Sequence, residues 1–363
     1  MKTMVRPESR DHAPGSMRDD RPLVALTMGD VAGVGPEIIA KAWFKGPLRT
    51  IARPIVIGSA SVLRRALKTV GGDARVQVIR DPEEATPTAA LIPCIEATRE
   101  DLELVRPGKV DARAGAAARD FLIAAADLAL AGKLDALTTL PLNKESLHAA
   151  GVKHPGHTEI LAERCNVPNH AMMLYIGPPA GGEAGLGVVH ATLHVPLRRV
   201  FELLTIDAVE EKILLANKVF APLIQGRAPR VAVAGLNPHA GENGLFGDEE
   251  ARIIGPAIER ARRMGLDVTG PVAADTLFAR ALAGEFDAVV AMYHDQGHVA
   301  LKTVGFQHAV NVTLGLPIIR TSVAHGTAFD IAWTGQADIS SLIEAVRVAA
   351  RLSEGRHEAA THR

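Results

Sequence analysis

Three histidines stand where three apolar runs end. Val188-Val189-His190-Ala191-Thr192-Leu193-His194, Val231-Ala232-Val233-Ala234-Gly235-Leu236-Asn237-Pro238-His239 and Val289-Val290-Ala291-Met292-Tyr293-His294 read as strands that deliver His194, His239 and His294 at or just past their C-terminal ends. Open α/β sheets bind ligands beyond the carboxyl ends of their strands, so three such imidazoles can meet at one point. Three neutral imidazoles suit Zn²⁺ and other first-row divalent ions and leave coordination positions open for a substrate. Asp295 follows His294 directly and Asp275 lies a short helix upstream. Either carboxylate can orient a ligand imidazole through its second nitrogen. The chain has 14 histidines, so the spacing alone also allows three unrelated polar residues at strand ends.

Two further groups of residues have the chemistry to hold an anion. Gly29-Asp30-Val31-Ala32-Gly33-Val34-Gly35-Pro36-Glu37 follows the first apolar run and opens a helix, with Pro36 where a missing N–H costs nothing. Its spacing is neither the dinucleotide fingerprint nor a P-loop, and a purely structural strand-to-helix turn explains it equally well. Lys302, Asn311 and Arg320 fall on successive elements after His294. Two cations and a neutral donor can grip a phosphate or carboxylate, Arg with two parallel bonds. The alternative is three solvated surface residues. Close behind them, Val323-Ala324-His325-Gly326-Thr327-Ala328-Phe329-Asp330-Ile331-Ala332 is a Gly-centred loop able to accept a nucleotide.

The elements that must position these residues follow from periodicity. Strands are expected over Leu23–Met28, Pro54–Ile57, Asp135–Leu140, Met172–Ile176, Gly187–His194, Arg230–Leu236, Phe286–Tyr293 and Val310–Leu314. Helices are expected over Pro36–Phe44, Ser61–Val70, Ala114–Ala131, Asp207–Leu223, Asp248–Met264, Thr276–Ala283 and Ser340–Leu352. Strands and helices taking turns predict an α/β fold with a largely parallel sheet. Gly177 to Gly187 reads as a loop. We expect two α/β domains that the chain crosses between, one of residues 21–145 with 296–355 and one of 146–295. A disordered extension (1–20) precedes them and a tail (356–363) follows.

Composition narrows the function classes. The 363 residues are 47% hydrophobic and carry 40 basic against 41 acidic side chains, a net charge of -1. Neither nucleic acid nor an anionic membrane attracts so balanced a chain, and aromatics at 4% leave few stacking platforms for bases. The apolar stretch Phe121 to Ala131 is interrupted by Asp127 and falls short of the ~20 residues of a bilayer span. Cys94 and Cys165 read as free thiols of a reducing compartment, and the N-terminus lacks a signal peptide's apolar centre. A cytoplasmic location is expected.

Taken together, these segments resemble the 4-hydroxythreonine-4-phosphate dehydrogenase family from about Leu23 to Leu352. The blocks that carry the resemblance are Gly29-Asp30 with Gly33-Val34-Gly35-Pro36-Glu37, Pro155-Gly156-His157-Thr158-Glu159, Thr192-Leu193-His194-Val195-Pro196-Leu197 and Gly235-Leu236-Asn237-Pro238-His239-Ala240-Gly241-Glu242. Ala274-Asp275-Thr276-Leu277-Phe278, Tyr293-His294-Asp295-Gln296-Gly297, Asn311-Val312-Thr313-Leu314-Gly315-Leu316-Pro317 and Arg320-Thr321-Ser322 complete them.

The resemblance implies an isocitrate/isopropylmalate-dehydrogenase-like fold with a cleft between two α/β domains. It also implies a homodimer with the active site at the subunit interface. His194, His239 and His294 would bind a divalent metal (Zn, Mg or Co), one of them coming from the partner subunit. His157, Thr158, Lys302, Asn311 and Arg320 would hold a small phosphorylated substrate. By analogy with related decarboxylating dehydrogenases, His325, Gly326, Thr327, Ala328 and Asp330 would bind NAD.

Two residues depart from the pattern: Val31 stands where Pro is usual, and Ala324 replaces an acidic residue before His-Gly. Pro141-Leu142-Asn143-Lys144-Glu145, Gly241-Glu242-Asn243-Gly244-Leu245-Phe246-Gly247-Asp248, Gln296-Gly297-His298 and Phe329-Asp330-Ile331-Ala332-Trp333 resemble the subgroup acting on D-threonate or D-erythronate 4-phosphate. Terephthalate-diol dehydrogenases are also relatives, but their substrate has no phosphate, and His157-Thr158 is intact here.

The reaction implied is metal- and NAD-dependent oxidation of a hydroxyl followed by decarboxylation. The product would be dihydroxyacetone phosphate, or 3-amino-2-oxopropyl phosphate from 4-phosphohydroxy-L-threonine. Lys302, Asp275 and Asp295 are the candidates for proton handling. A zinc hydrolase built on the three imidazoles, and a phosphate-ligand-binding protein without chemistry, are the competing readings.

Overall fold

The computed structural model describes residues 19–178, 185–224, 226–305 and 308–361. The N-terminal extension up to residue 18, the middle of the 177–187 loop and the last two residues of the tail lie outside them. The strands are β1 (Leu23–Thr27), β2 (Arg53–Gly58), β3 (Arg75–Val78), β4 (Leu91–Glu96), β5 (Ala136–Thr139), β6 (Ala171–Ile176), β7 (Leu186–His190), β8 (Val231–Ala234), β9 (Val268–Val272), β10 (Ala288–Ala291), β11 (Ala309–Leu314) and β12 (Arg320–Ser322). They form one twelve-stranded sheet in the order β3-β4-β2-β1-β5-β12-β11-β6-β7-β10-β8-β9.

Two parallel blocks, β3-β4-β2-β1-β5-β12 and β7-β10-β8-β9, flank an antiparallel link. In the link, β12 pairs with β11, β11 with β6 and β6 with β7, each antiparallel. Three reversals in succession make the two blocks run in opposite directions. The parallel blocks match the expected sheet type, and the link departs from it.

Physical causes are visible strand by strand. β1, β5, β8 and β10 are buried at every position, as strands covered by helices on both faces must be. β3 and β4 escape a periodicity reading because β3 sits at the sheet edge as Arg-Val-Gln-Val and Pro93 interrupts β4. The three histidine-bearing strands also stop earlier than expected, at His190, Ala234 and Ala291. Loops and a helix start therefore carry His194, His239 and His294.

One apolar core gathers residues between Leu23 and Leu161 and again from Leu316 to Ala349. Two others are built between Ala171 and Leu314, with Ala345, Val348 and Leu352 added from the last helix, Ser340–Thr361. That helix runs past its expected end and packs on β5, β11 and β12, bracing the link. No helix among the described residues is long and apolar enough to cross a membrane.

β1, β5 and β12 are adjacent and parallel, so the segments that follow them leave the sheet side by side. Gly29 locks two of these segments together. Its φ is +68°, and a Cβ there would stand 2.3 Å from the Pro141 carbonyl oxygen. Gly29→Ala is expected to destabilise the fold by about 1–3 kcal/mol. The check is a lower urea midpoint at unchanged slope.

Candidate active site

A cavity of about 620 Å³ lies over the link, lined among others by Thr139, Lys144, His157, Asn311, Arg320 and Ser322. Thr158, His194, His325 and Gly326 also border it. Four of the five expected substrate residues thus come together. Lys302 does not line it; it stands on the helix His294–Gly305, where its charge bears on His298.

Arg320 is the electrostatic centre of this cleft. It is 5% exposed, with Nε and Nη2 donating to Thr139 Oγ1 at 3.1 and 2.7 Å and Nη1 donating to Thr313 Oγ1 at 2.9 Å. Burial pulls its pKa down to about 10, partly offset by the charge of Glu159. Among the described residues it makes no ion pair. Burying a charge without an ion-pair partner costs several kcal/mol even after relaxation, so a cation in this setting is suited to a bound counter-ion. Two threonine hydroxyls hold the guanidinium ready to grip one.

His157 opens the helix His157–Arg164, and its Nε2 donates to the Leu140 carbonyl oxygen at 3.1 Å. Burial, reinforced by the Arg320 charge, drives its pKa well below 6.5, so the ring is neutral. A histidine whose folded pKa is depressed contributes stability above its unfolded value near 6.5, and that contribution is lost as pH falls, because only the unfolded chain takes up the proton readily. His157→Gln is therefore expected to shrink the loss of melting temperature between about pH 7.5 and pH 5. Thermal melts across that range check it, and an unchanged loss would mean His157 is not held neutral.

The imidazoles divide into two sets. His194 and His294 have ring centroids 5.6 Å apart and both line a second cavity of about 290 Å³, with Tyr293 and Asp295. His194 borders both cavities, so this pair adjoins the Arg320 cleft. Asp295 Oδ1 lies 2.7 Å from His294 Nδ1, which leaves Nε2 of His294 as the nitrogen able to bind a ligand. Asp275, the other carboxylate considered, is exposed on the first turn of the helix Ala274–Leu282. His239 is exposed too, with the Phe246 ring as its neighbour at 6.0 Å. Among the described residues no group of three or more His, Cys, Asp or Glu side chains forms a metal site.

Backbone strain marks the same places. His194 has φ +48°, and five consecutive residues, His239 to Asn243, all have positive φ. Non-glycine residues in this region cost of order 1–3 kcal/mol each and persist where the surroundings over-determine them. The surroundings here centre on Glu250: Oε1 accepts from the Leu236 and Asn237 amides at 2.8 and 2.7 Å, and Oε2 accepts from Asn237 Nδ2 at 3.0 Å. A strained, braced turn thus presents His239 outward beside Leu245 and Phe246, which are 71% and 47% exposed.

The two Gly-rich segments meet. The Val34 amide donates to the Thr327 carbonyl at 3.1 Å, and Trp333 Nε1 donates to the Val31 carbonyl at 2.9 Å. The Val31 departure thus leaves the turn anchored. Between the segments lies a cavity of about 310 Å³ with Val34, Ile38, Ala328 and Ile331 as apolar walls and Asp338 and Ser341 at its rim. Ala328 is another positive-φ residue, at +43°. Ala324 borders this cavity and its amide donates to Ser341 Oγ at 3.0 Å. His325 lines both this cavity and the Arg320 cleft, so the two are contiguous; Gly326 borders the cleft alone. Thr327 contributes the backbone contact to Val34, and Asp330 is exposed beyond it.

The residues that sequence reasoning missed are the supports. Thr139 and Thr313 hold Arg320, Glu250 braces the His239 turn, and Asp338 faces the apolar cavity. None of these roles has a local sequence signal, because each depends on a partner distant along the chain.

The chain has close likenesses among known proteins. Residues 50–349 match the family model described as pyridoxal phosphate biosynthetic protein PdxA. The chain is 45% identical over 332 residues to a D-threonate 4-phosphate dehydrogenase of Pectobacterium atrosepticum, covering 91% of this chain and 99% of that protein. A crystal structure of 4-hydroxythreonine-4-phosphate dehydrogenase from Klebsiella pneumoniae superposes with TM-score 0.85 at 45% identity, covering 93% of this chain and 100% of that one. A terephthalate 1,2-cis-dihydrodiol dehydrogenase from Burkholderia xenovorans LB400 is more distant, with TM-score 0.64 at 32% identity, covering 91% and 98%.

Proposed function

Because this chain belongs to the PdxA family and is a dehydrogenase of a phosphorylated hydroxy acid, we propose that it oxidises and decarboxylates D-threonate 4-phosphate or a close relative with NAD⁺. The observation that carries the phosphorylated substrate is Arg320, a buried cation without an ion-pair partner among the described residues, aimed into the cleft with His157 and Asn311.

In this reading Arg320 and Asn311 bind the phosphate, and Thr158 at the helix start adds donors from the positive end of the dipole. His157 enters neutral; a phosphate dianion beside it supplies the counter-charge that lets Nδ1 take up a proton and donate as well. The contiguous cavity at Val34 and Ala328 has the apolar walls and polar rim that suit a nucleoside, and His325 stands where nicotinamide and substrate would adjoin. NAD⁺, when bound, accepts the hydride from the substrate carbon.

His194 and His294 fit a divalent ion: two imidazoles face one cavity, and Asp295 fixes the tautomer of one. The metal would polarise the reacting hydroxyl and carboxylate oxygens. No third imidazole lines that cavity among the described residues, and His239 is displayed outward on a strained turn with exposed apolar neighbours. The helix that begins beside Asp275 packs against that same turn. A two-fold dimer would bring both His239 and Asp275 to the cleft of the other copy, making Asp275 and Lys302 the proton-handling candidates while Asp295 orients His294. The proton lost from the hydroxyl is balanced by the one gained at carbon as carbon dioxide leaves. The division into residues 21–145 with 296–355 and 146–295 belongs to this proposal, with the cleft over the link between them.

The test is NADH formation with D-threonate 4-phosphate, D-erythronate 4-phosphate and 4-phosphohydroxythreonine side by side. Turnover of one, dependent on NAD⁺ and divalent metal, is expected. Failure on all three, with turnover of a non-phosphorylated cis-diol carboxylate, would replace this reading. Turnover indifferent to NAD⁺ would favour the hydrolase.

A further inference from the structure

A second pair of imidazoles lies behind the first and has no part in the steps above. His190 closes β7 at 3% exposed, and His298, one helical turn after His294, is 6% exposed. His298 Nδ1 lies 3.1 Å from His190 Nε2 and 3.2 Å from the His294 carbonyl oxygen. A carbonyl only accepts, so Nδ1 of His298 carries the proton and His190 Nε2 is an acceptor. Between the two, Gly297 leaves the necessary room: a Cβ there would stand 2.5 Å from His190 Nε2.

The consequence falls on His294. Its ring lies flat against that of His298, with centroids 3.8 Å apart and planes 10° apart. Residues four apart on a helix are neighbours in any case, so contact by itself means little. Orientation is what the arrangement adds. A leucine at 298 would fill this space with no buried polar group to satisfy, whereas the hydrogen-bonded pair sets the plane of the His298 ring and so the plane against which His294 rests. Asp295 fixes the tautomer of His294; a flat, immobile neighbour fixes its rotation.

We infer that His298, held in place by His190, is a positioning residue that orients His294 as a metal ligand. The inference rests on the metal reading proposed above, and its experiment separates the two. The metal-free full-length protein is titrated with Co²⁺, reading visible absorption and competition with a chelator, for wild type, His298→Ala, His298→Phe, His190→Leu and His294→Ala. Outer-shell partners of this kind are worth about 10–100-fold in metal affinity. His298→Ala is expected to lose that much, while His298→Phe, which keeps a flat face, recovers most of it. His190→Leu, which removes only the hydrogen bond, falls between.

Wild-type affinity in His298→Ala, with binding lost in His294→Ala, overturns the positioning role and leaves the metal reading standing. Wild-type affinity in His294→Ala overturns both. Should His298→Ala fail to fold by circular dichroism, the other two variants decide: His298→Phe and His190→Leu both at wild-type affinity would overturn the inference.

Discussion

Arg320→Met should lose about 10²–10³-fold in kcat/KM toward the phosphorylated substrate, the range expected when one partner of a buried, hydrogen-bonded charge pair is removed. Most of the loss should appear in KM, because a terminal phosphate contributes binding that is largely the same in ground and transition states. The same variant should be no less stable than wild type. In the free protein the guanidinium is buried beside two threonine hydroxyls with no ion pair among the described residues, and replacing a buried ion by an apolar group of similar size is often neutral or stabilising. Loss of function with kept stability separates a binding residue from a structural one. Arg320→Lys should fall between, since it keeps the charge and forfeits the fork that Thr139 and Thr313 hold. A second signature comes from the substrate lacking its phosphate. Wild type should strongly prefer the phosphorylated acid, and Arg320→Met should lose most of that preference. If the variant kept it, the phosphate would be held elsewhere and the cleft over the link would have another occupant.

Arg320 also shows how far the sequence could be read. Its role was legible only through the family blocks, because residue type and spacing alone allow Lys302, Asn311 and Arg320 to be solvated surface residues. Its environment was not. Thr139 lies 181 residues away, and contact between them needs β12, a strand of three residues that gives no periodic signal. The histidines divide similarly. Their placement beyond apolar strands was visible, since β8 and β10 are apolar throughout and β7 is apolar up to His190. The backbone at the imidazole was not, because five consecutive positive φ angles at His239–Asn243 depend on Glu250, which bonds Leu236 and Asn237 from 14 and 13 residues on. Nor was the bond between His190 and His298, which are 108 residues apart and belong to different elements. Local pattern reports what a segment prefers. Functional sites are where tertiary partners override that preference, and the strained residues His194, His239 and Ala328 are the local record of it.

The strain at His239 leads to the prediction that tests the site as a whole. His239→Ala should abolish metal-dependent turnover while the chain still folds, because the side chain is exposed and its turn is held by Glu250, not by the imidazole. His294→Ala should be inactive as well, having lost a ligand from the other set. If one copy supplies His194 and His294 and the other supplies His239, a mixed two-fold dimer of the two variants contains one complete ligand set and one doubly defective set. Random reassociation of equal amounts makes half of the dimers mixed, each with one working site of two, so about a quarter of wild-type activity should return. Neither variant alone can show this, and ligands drawn from a single chain would leave every mixed dimer without an intact set. Mixtures as inactive as their parents, under conditions where tagged subunits demonstrably exchange, would confine the metal to one chain and remove the reason for displaying His239 outward.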